Sequence, residues 1–230
     1  MAQPSIILVH GFWGGAAHWG KVIPELARQG YPDLHAVEMP LTALAHDAGR
    51  LTQMIDQQAG EVLLVGHSYG GAVITAAGNH PKVKGLVYIA AFAPDEGESP
   101  GSISQAKPPA AFANLAPDSD GYLWVIPDKF HESFCQDLTA EEGLVMGVTQ
   151  KAPIGSTFGD AISNPAWKAK PCWYQISTQD RMINPENQVM MSGRMGAKKV
   201  IELDASHASL ASRPVEVSAL IVEAAKAISG

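Results

Sequence analysis

Cysteine is scarce: Cys135 and Cys172 are the only two in 230 residues. A chain of this length buries enough surface to hold a core without a covalent staple, so both are read as free thiols. Two cysteines without histidines at matching spacing also cannot supply a structural zinc site. Basic residues are in short supply too, with 16 Lys and Arg against 23 Asp and Glu and a formal net charge of -7. That balance disfavours nucleic acid and anionic membrane as partners and suits the handling of small, uncharged molecules. No apolar stretch is long enough to cross a bilayer. The first apolar run, Ile6 to Val9, is too short for a secretory signal and has no basic segment before it. The expectation is a soluble, cytoplasmic protein, with monomer and homodimer both left open. The chain also lacks the Gly-Lys-Ser/Thr ending of a P-loop and the G-x-G-x-x-G spacing of a dinucleotide site.

What is present is an alternation. Short, nearly continuous apolar runs occur at Ile6–Val9, Leu34–Met39, Val62–Val65, Val83–Ala91, Cys172–Ser177 and Lys199–Leu203, with helical stripes between them. Continuous runs of this kind form strands buried on both faces. The pattern predicts a single α/β domain over 1–230, with about six mostly parallel strands and helices on both faces. Trp19, Val22, Ile23 and Leu26 make one stripe, with Gly30 at its handover to a turn; Leu44, Ala48, Leu51 and Ile55 make a second. Val217, Leu220, Ile221, Ala224 and Ile228 make a third, with Pro214 near its start. Residues 95–167 break the alternation, being rich in Pro, Gly and Ser with scattered aromatics and no strong run of their own. They read as a small cap inserted in the domain, since a long excursion in a compact fold seldom lacks a use.

Gly66-His67-Ser68-Tyr69-Gly70 reads G-x-S-x-G, directly between the run Val62–Val65 and the helical Ala72–Ala77. In that setting a serine in a tight strand-to-helix turn is pushed out above the sheet, and flanking glycines let the chain turn so sharply. A serine hydroxyl is a poor nucleophile until a base takes its proton. His207, on the loop after the last strand, is the only histidine that follows both the elbow and Asp180, the acid candidate that fits best. The acid belongs between them at a strand end, and Asp180 after Cys172–Ser177 fits best; Asp95 is the main rival, and Asp204 shares a strand end with His207. His18, His35, His46, His80 and His131 read as surface or cap residues. Two backbone amides are expected to form an oxyanion hole. One is that of Tyr69, after the serine, and the other that of Phe12, in the loop His10-Gly11-Phe12-Trp13-Gly14-Gly15. Trp13, Phe112, Trp124, Phe130 and Trp167 are candidates to line a substrate pocket, although the cap aromatics could equally be packing.

These motifs, with the run Val87–Pro94, make the sequence resemble the α/β-hydrolase superfamily, and within it the small esterases of the plant methylesterase and hydroxynitrile lyase group, nearly end to end. The resemblance implies a parallel sheet, a cap after Pro94, no cofactor and no metal, and cleavage of small carboxylic esters. The lyases of that group carry a hydroxyl residue in the oxyanion loop and a lysine after the catalytic histidine; here those places hold Phe12 and Ala208. Esterase is therefore the expected activity, through an acyl-enzyme on Ser68, His207 and Asp180. Lactone, C–C or amide cleavage on the same triad stays open, as does a ligand-binding receptor on a hydrolase fold.

Overall fold

The structure is a computed structural model that describes residues 3–229. Six strands form one sheet: β1 (Ser5–Val9), β2 (Leu34–Val37), β3 (Val62–His67), β4 (Val83–Ile89), β7 (Cys172–Ser177) and β8 (Lys199–Leu203). Two more, β5 (Leu115–Pro117) and β6 (Leu123–Val125), pair as a separate antiparallel ribbon. The large sheet runs in the order β2-β1-β3-β4-β7-β8 and every pairing in it is parallel. Its helices are α1 (Val22–Arg28), α2 (Leu44–Asp56), α3 (Gly70–Ala77), α7 (Pro185–Arg194), α8 (Ser209–Ser212) and α9 (Pro214–Ile228). The six strands and the periodic helices fall where the apolar runs and stripes place them. Leu34–Met39 and Val83–Ala91 are cut short at Val37 and Ile89, where the chain leaves the ladder.

Alternation along the strands divides the core. Ile7, Val9, Val62 and Leu64 pack on the face covered by α2 and α3, whereas Ile6, Leu8, Leu63 and Val65 pack on the face covered by α1 and α9. Every one of these side chains is fully buried, so each face buries roughly 1.5–3 kcal/mol of apolar side chain per residue before chain entropy is subtracted.

After β1 the chain adds β2 on one side, then returns to place β3 on the other. The sheet therefore has its switch point between β1 and β3, and the crevice beyond the carboxyl ends of parallel strands at such a point is where ligands bind. Five loops, after β1, β3, β4, β7 and β8, meet at that edge.

Residues 95–167 are more ordered than their composition suggests. They contain α4 (Pro100–Ala106), α5 (Phe130–Phe134) and α6 (Ala140–Val148), the β5–β6 ribbon, and short 3₁₀ turns. Both α4 and α6 start with reciprocal capping boxes, Ser99 with Ser102 and Thr139 with Glu142. Among the described residues no helix is long and apolar enough to cross a membrane. Cys135 and Cys172 are free and buried, and burial pushes both thiols up to about 12.

Candidate active site

Ser68 stands at the carboxyl end of β3 with φ 56, left-handed backbone that non-glycine residues adopt only when their surroundings enforce it. The enforcement is visible. Its amide donates to the Ile89 carbonyl (3.2 Å), and its carbonyl accepts from the Gly71 and Phe92 amides (both 3.0 Å). Gly70 lets α3 press onto β1: a Cβ there would lie 2.3 Å from the Val9 carbonyl oxygen. Gly11 does the same for the loop after β1, since its Cβ would lie 2.4 Å from Ser68 Cβ.

His207 follows β8, fully buried, and its Nδ1 lies 2.7 Å from Asp180 Oδ2. The carboxylate can only accept, so Nδ1 carries the proton and Nε2 presents its lone pair. Nε2 is buried without a hydrogen-bond partner, so a bond to Ser68 Oγ is not formed in this conformation. Such bonds are often loose in unliganded enzymes. The two residues are neighbours nevertheless: His67, next to Ser68 in sequence, has its ring centroid 4.7 Å from that of His207 and its Nε2 2.8 Å from the His207 carbonyl.

Asp180 is held from every side. Its Oδ1 accepts from the Met182 and Ile183 amides (2.7 and 2.9 Å), and its Oδ2 also accepts from Gln188 Nε2 (2.8 Å). Gln188, on the first turns of α7, accepts in turn from the Ser177 amide (3.0 Å), which ties the acid to the end of β7. Nothing in the local sequence marks Gln188 out; its part emerges from where α7 starts. The rival acids lie elsewhere, Asp95 paired with Lys168 at the surface (2.5 Å) and Asp204 exposed.

The loop after β1 is equally fixed. His10 is buried, accepts from the Met39 amide through Nε2 (3.1 Å) and so donates through Nδ1 to the Gly11 carbonyl (2.8 Å). Burial holds its pKa below the ordinary value, so the neutral form that this pattern needs is favoured. Trp13, with φ 57, donates its amide to the Lys151 carbonyl (3.0 Å) and its indole N–H to the Leu123 carbonyl (2.7 Å). Among the described residues, the amides of Phe12 and Tyr69 donate to no protein acceptor.

A narrow slot opens on Ser68. Phe12, Trp13, Phe92, Met182 and Ile183 line it from the strand-end loops, and Pro109, Ala111, Phe112, Leu115 and Phe158 from residues 95–167. Apart from Ser68 every lining side chain is apolar. Of the five aromatic residues singled out from the sequence, Trp13 and Phe112 are in this lining. The other three require correction. Trp124 faces outward on β6 and donates to Asp118 (2.8 Å), Phe130 packs on Phe134 (5.0 Å), and Trp167 donates to the Pro94 carbonyl (2.9 Å). Phe158 belongs to the slot, although nothing in its Gly-rich surroundings signalled it. His18 is half-buried: it lies against Gly14 and 5.8 Å from the Phe134 ring, with burial lowering its pKa to about 4.

Residues 6–220 match the alpha/beta hydrolase family. A probable hydrolase of Phoma sp. is 24% identical over 98% of this chain and 99% of its own. Methylesterase 3 of Arabidopsis thaliana is 24% identical over 96% of this chain and 95% of its own. Among solved structures, a pyrethroid hydrolase from Sphingobium faniae superposes with TM-score 0.83 at 25% identity, covering 98% of each chain. The chain belongs to the alpha/beta hydrolase family and is a hydrolase.

Proposed function

We propose that this protein is a serine carboxylesterase in which Ser68 attacks the carbonyl of a small, uncharged ester. The observation that carries this reading is His207, whose Nδ1 is committed to Asp180, whose buried Nε2 has no partner among the described residues, and whose ring lies 4.7 Å from that of His67, the neighbour of Ser68 in sequence. His207 Nε2 takes the Ser68 proton as the Oγ–C bond forms, and Asp180 stabilises the resulting imidazolium. The amides of Phe12 and Tyr69, which donate to no acceptor among the described residues, take up the oxyanion. His207 then returns the proton to the leaving alkoxide, and water activated by the same nitrogen releases the acid from Ser68. The slot's uniformly apolar lining supports an uncharged substrate, because a charged group there would lose its hydration without gaining a partner. Residues 95–167 serve as the cap that selects it, and the chain acts without cofactor or metal. The names of the Arabidopsis methylesterase and the Sphingobium pyrethroid hydrolase agree with a hydrolase of this kind.

The test is Ser68→Ala assayed on short 4-nitrophenyl esters, with fluorophosphonate labelling in parallel. Turnover is expected to fall by roughly 10⁴ or more and the label to disappear. Near-normal turnover, or labelling that persists in the variant, overturns the assignment.

A further inference from the structure

We infer that Asp47 and Tyr69 form a positioning brace that sets the separation of the two oxyanion-hole amides, an inference that rests on reading Ser68 as the nucleophile. The amides of Phe12 and Tyr69 belong to loops after different strands, and a hole of this kind works only if its donors stay within about 0.5 Å of the productive geometry. Neither amide is anchored by a hydrogen bond of its own among the described residues, and each adjoins a left-handed residue, Trp13 at φ 57 and Ser68 at φ 56. Such conformations are strained and persist only where the surrounding structure over-determines them.

The side chains of the two donor residues meet beneath the hole. The Phe12 ring stacks on the Tyr69 ring with centroids 3.9 Å apart and planes 12° from parallel. The Tyr69 hydroxyl donates to Asp47 Oδ2 (2.8 Å), and Asp47 Oδ1 accepts from the Leu41 amide (2.8 Å). Leu41 is itself left-handed, at φ 61, and its carbonyl accepts from the Ile154 amide (2.9 Å). One carboxylate on α2 thus fixes the tip of the tyrosine, and through the stack it fixes the phenylalanine.

Stability alone does not account for this carboxylate. Asp47 and Tyr69 are fully buried, and among the described residues no cation bonds Asp47: Lys151 is engaged by Glu38 (2.9 Å) and by the Met39 carbonyl. Burial raises the pKa of Asp47 despite its two donors, the signature of a group that costs solvation energy to keep. Apolar residues of similar volume that replace a buried polar group together with its partners are often neutral in stability. What they would not reproduce is a directional bond that stops the Tyr69 ring, and the Phe12 ring on it, from sliding.

The experiment compares Tyr69→Phe, Asp47→Leu and Asp47→Asn. The readouts are kcat and KM on a short 4-nitrophenyl ester, affinity for a trifluoromethyl ketone that becomes an oxyanion on Ser68, and melting temperature. Tyr69→Phe and Asp47→Leu are each expected to lower kcat about tenfold with KM within about twofold, a displaced donor costing less than a deleted one. They should weaken the ketone by the same factor, and the double variant should be no worse than either single one. Asp47→Asn keeps a hydrogen-bonding partner and is expected to lose less than Asp47→Leu. If both variants keep wild-type kcat and ketone affinity, the brace is refuted, whatever happens to the melting temperature. Should Asp47→Leu not fold, Tyr69→Phe decides alone, since it deletes one oxygen and keeps the stack. Full turnover by Ser68→Ala would place the failure in the nucleophile assignment instead.

Discussion

The floor and the roof of the slot are made differently. Phe12, Trp13, Ser68, Phe92, Met182 and Ile183 come from loops that end parallel strands, and there the backbone is over-determined by close glycine contacts, left-handed residues and buried histidines. Pro109, Ala111, Phe112, Leu115 and Phe158 come from short 3₁₀ turns and a two-stranded ribbon that touch the floor through a few bonds. The Ala111 amide donates to the Arg181 carbonyl (2.9 Å), the Trp13 indole to Leu123 (2.7 Å), and Phe112 remains 38% exposed. A scaffold that fixes reacting groups to fractions of an ångström while leaving the covering segment plastic lets the covering segment vary without disturbing the chemistry.

The sharpest way to break this contrast is at the floor. Asp180→Asn keeps the shape of the acid but favours the wrong tautomer of His207, and kcat is expected to fall by about 10⁴ with the melting temperature little changed; a loss below about tenfold would show that the acid does not act through His207. The next effect compares two glycines. Gly11→Ala places a methyl 2.4 Å from Ser68 Cβ, and a displacement of that order costs about 10² in kcat. Gly159→Ala, in the roof with nothing within 4 Å of its Cβ, should change kcat less than twofold. Equal losses in the two variants, measured side by side on one ester, would erase the distinction between the regions.

The same division explains what could be read from the sequence. The central strands β1, β3, β4 and β7 announce themselves as apolar runs because they are buried almost throughout, whereas the edge strands β2 and β8 are half-buried or exposed and carry His35, Lys199 and Glu202. The G-x-S-x-G turn is legible because steric clearance permits only glycine at Gly66 and Gly70. His207 and Asp180 follow from chain order. The roof has no such grammar, since its elements are short and borrow their burial from the floor. Even so, some of its signals are present. Thr139 and Glu142 spell a capping box before α6, and the ribbon turns on Asp118, whose Oδ1 accepts from the Asp120 and Tyr122 amides (3.0 and 2.9 Å), with Gly121 at φ 85. Which aromatic residues reach Ser68 was not legible. A half-exposed Trp124 and a slot-lining Phe112 look alike until the ribbon's twist and the 3₁₀ turn at residues 110–114 aim one outward and the other inward. Gln188 and Asp47 were equally silent, because each gains its part from a neighbour far away in sequence.

The roof itself can be probed at Phe112. On the proposed reading it closes over bound substrate, so Phe112→Ala should raise KM for an aromatic ester by about tenfold, leave kcat within about twofold, and leave the melting temperature unchanged because the ring is already partly exposed. A comparable fall in kcat with unchanged KM would mean that the roof holds the reacting groups as the floor does, and the two regions would no longer differ in kind.

The smallest expected effect concerns acid. The floor keeps neutral imidazoles beneath it: burial lowers the pKa of His10, takes that of His67 well below the ordinary value, and sets that of His18 at about 4 against 6.5. For a base whose folded pKa is depressed, both states are neutral above pH 6.5 and nothing is gained or lost there. Between pH 6.5 and about 4 the unfolded chain takes up protons that the folded one refuses, so stability falls as pH falls. Around His18 the titratable neighbours are His10, His207 and Glu38, with Lys21, Glu141 and Glu142 across the cleft toward α6. His10 and His207 oppose its charging, Glu38 favours it, and desolvation outweighs all three. Replacing it by leucine removes one proton acceptor from the unfolded state. The loss of stability between pH 7.5 and pH 5 should then shrink by about 1 kcal/mol, discounted because the ring is partly exposed, or about 2–4 °C in melting temperature. Melts of the wild-type and His18→Leu proteins at the two pH values settle the matter: an unchanged difference in His18→Leu would show that acid sensitivity is not concentrated beneath the floor.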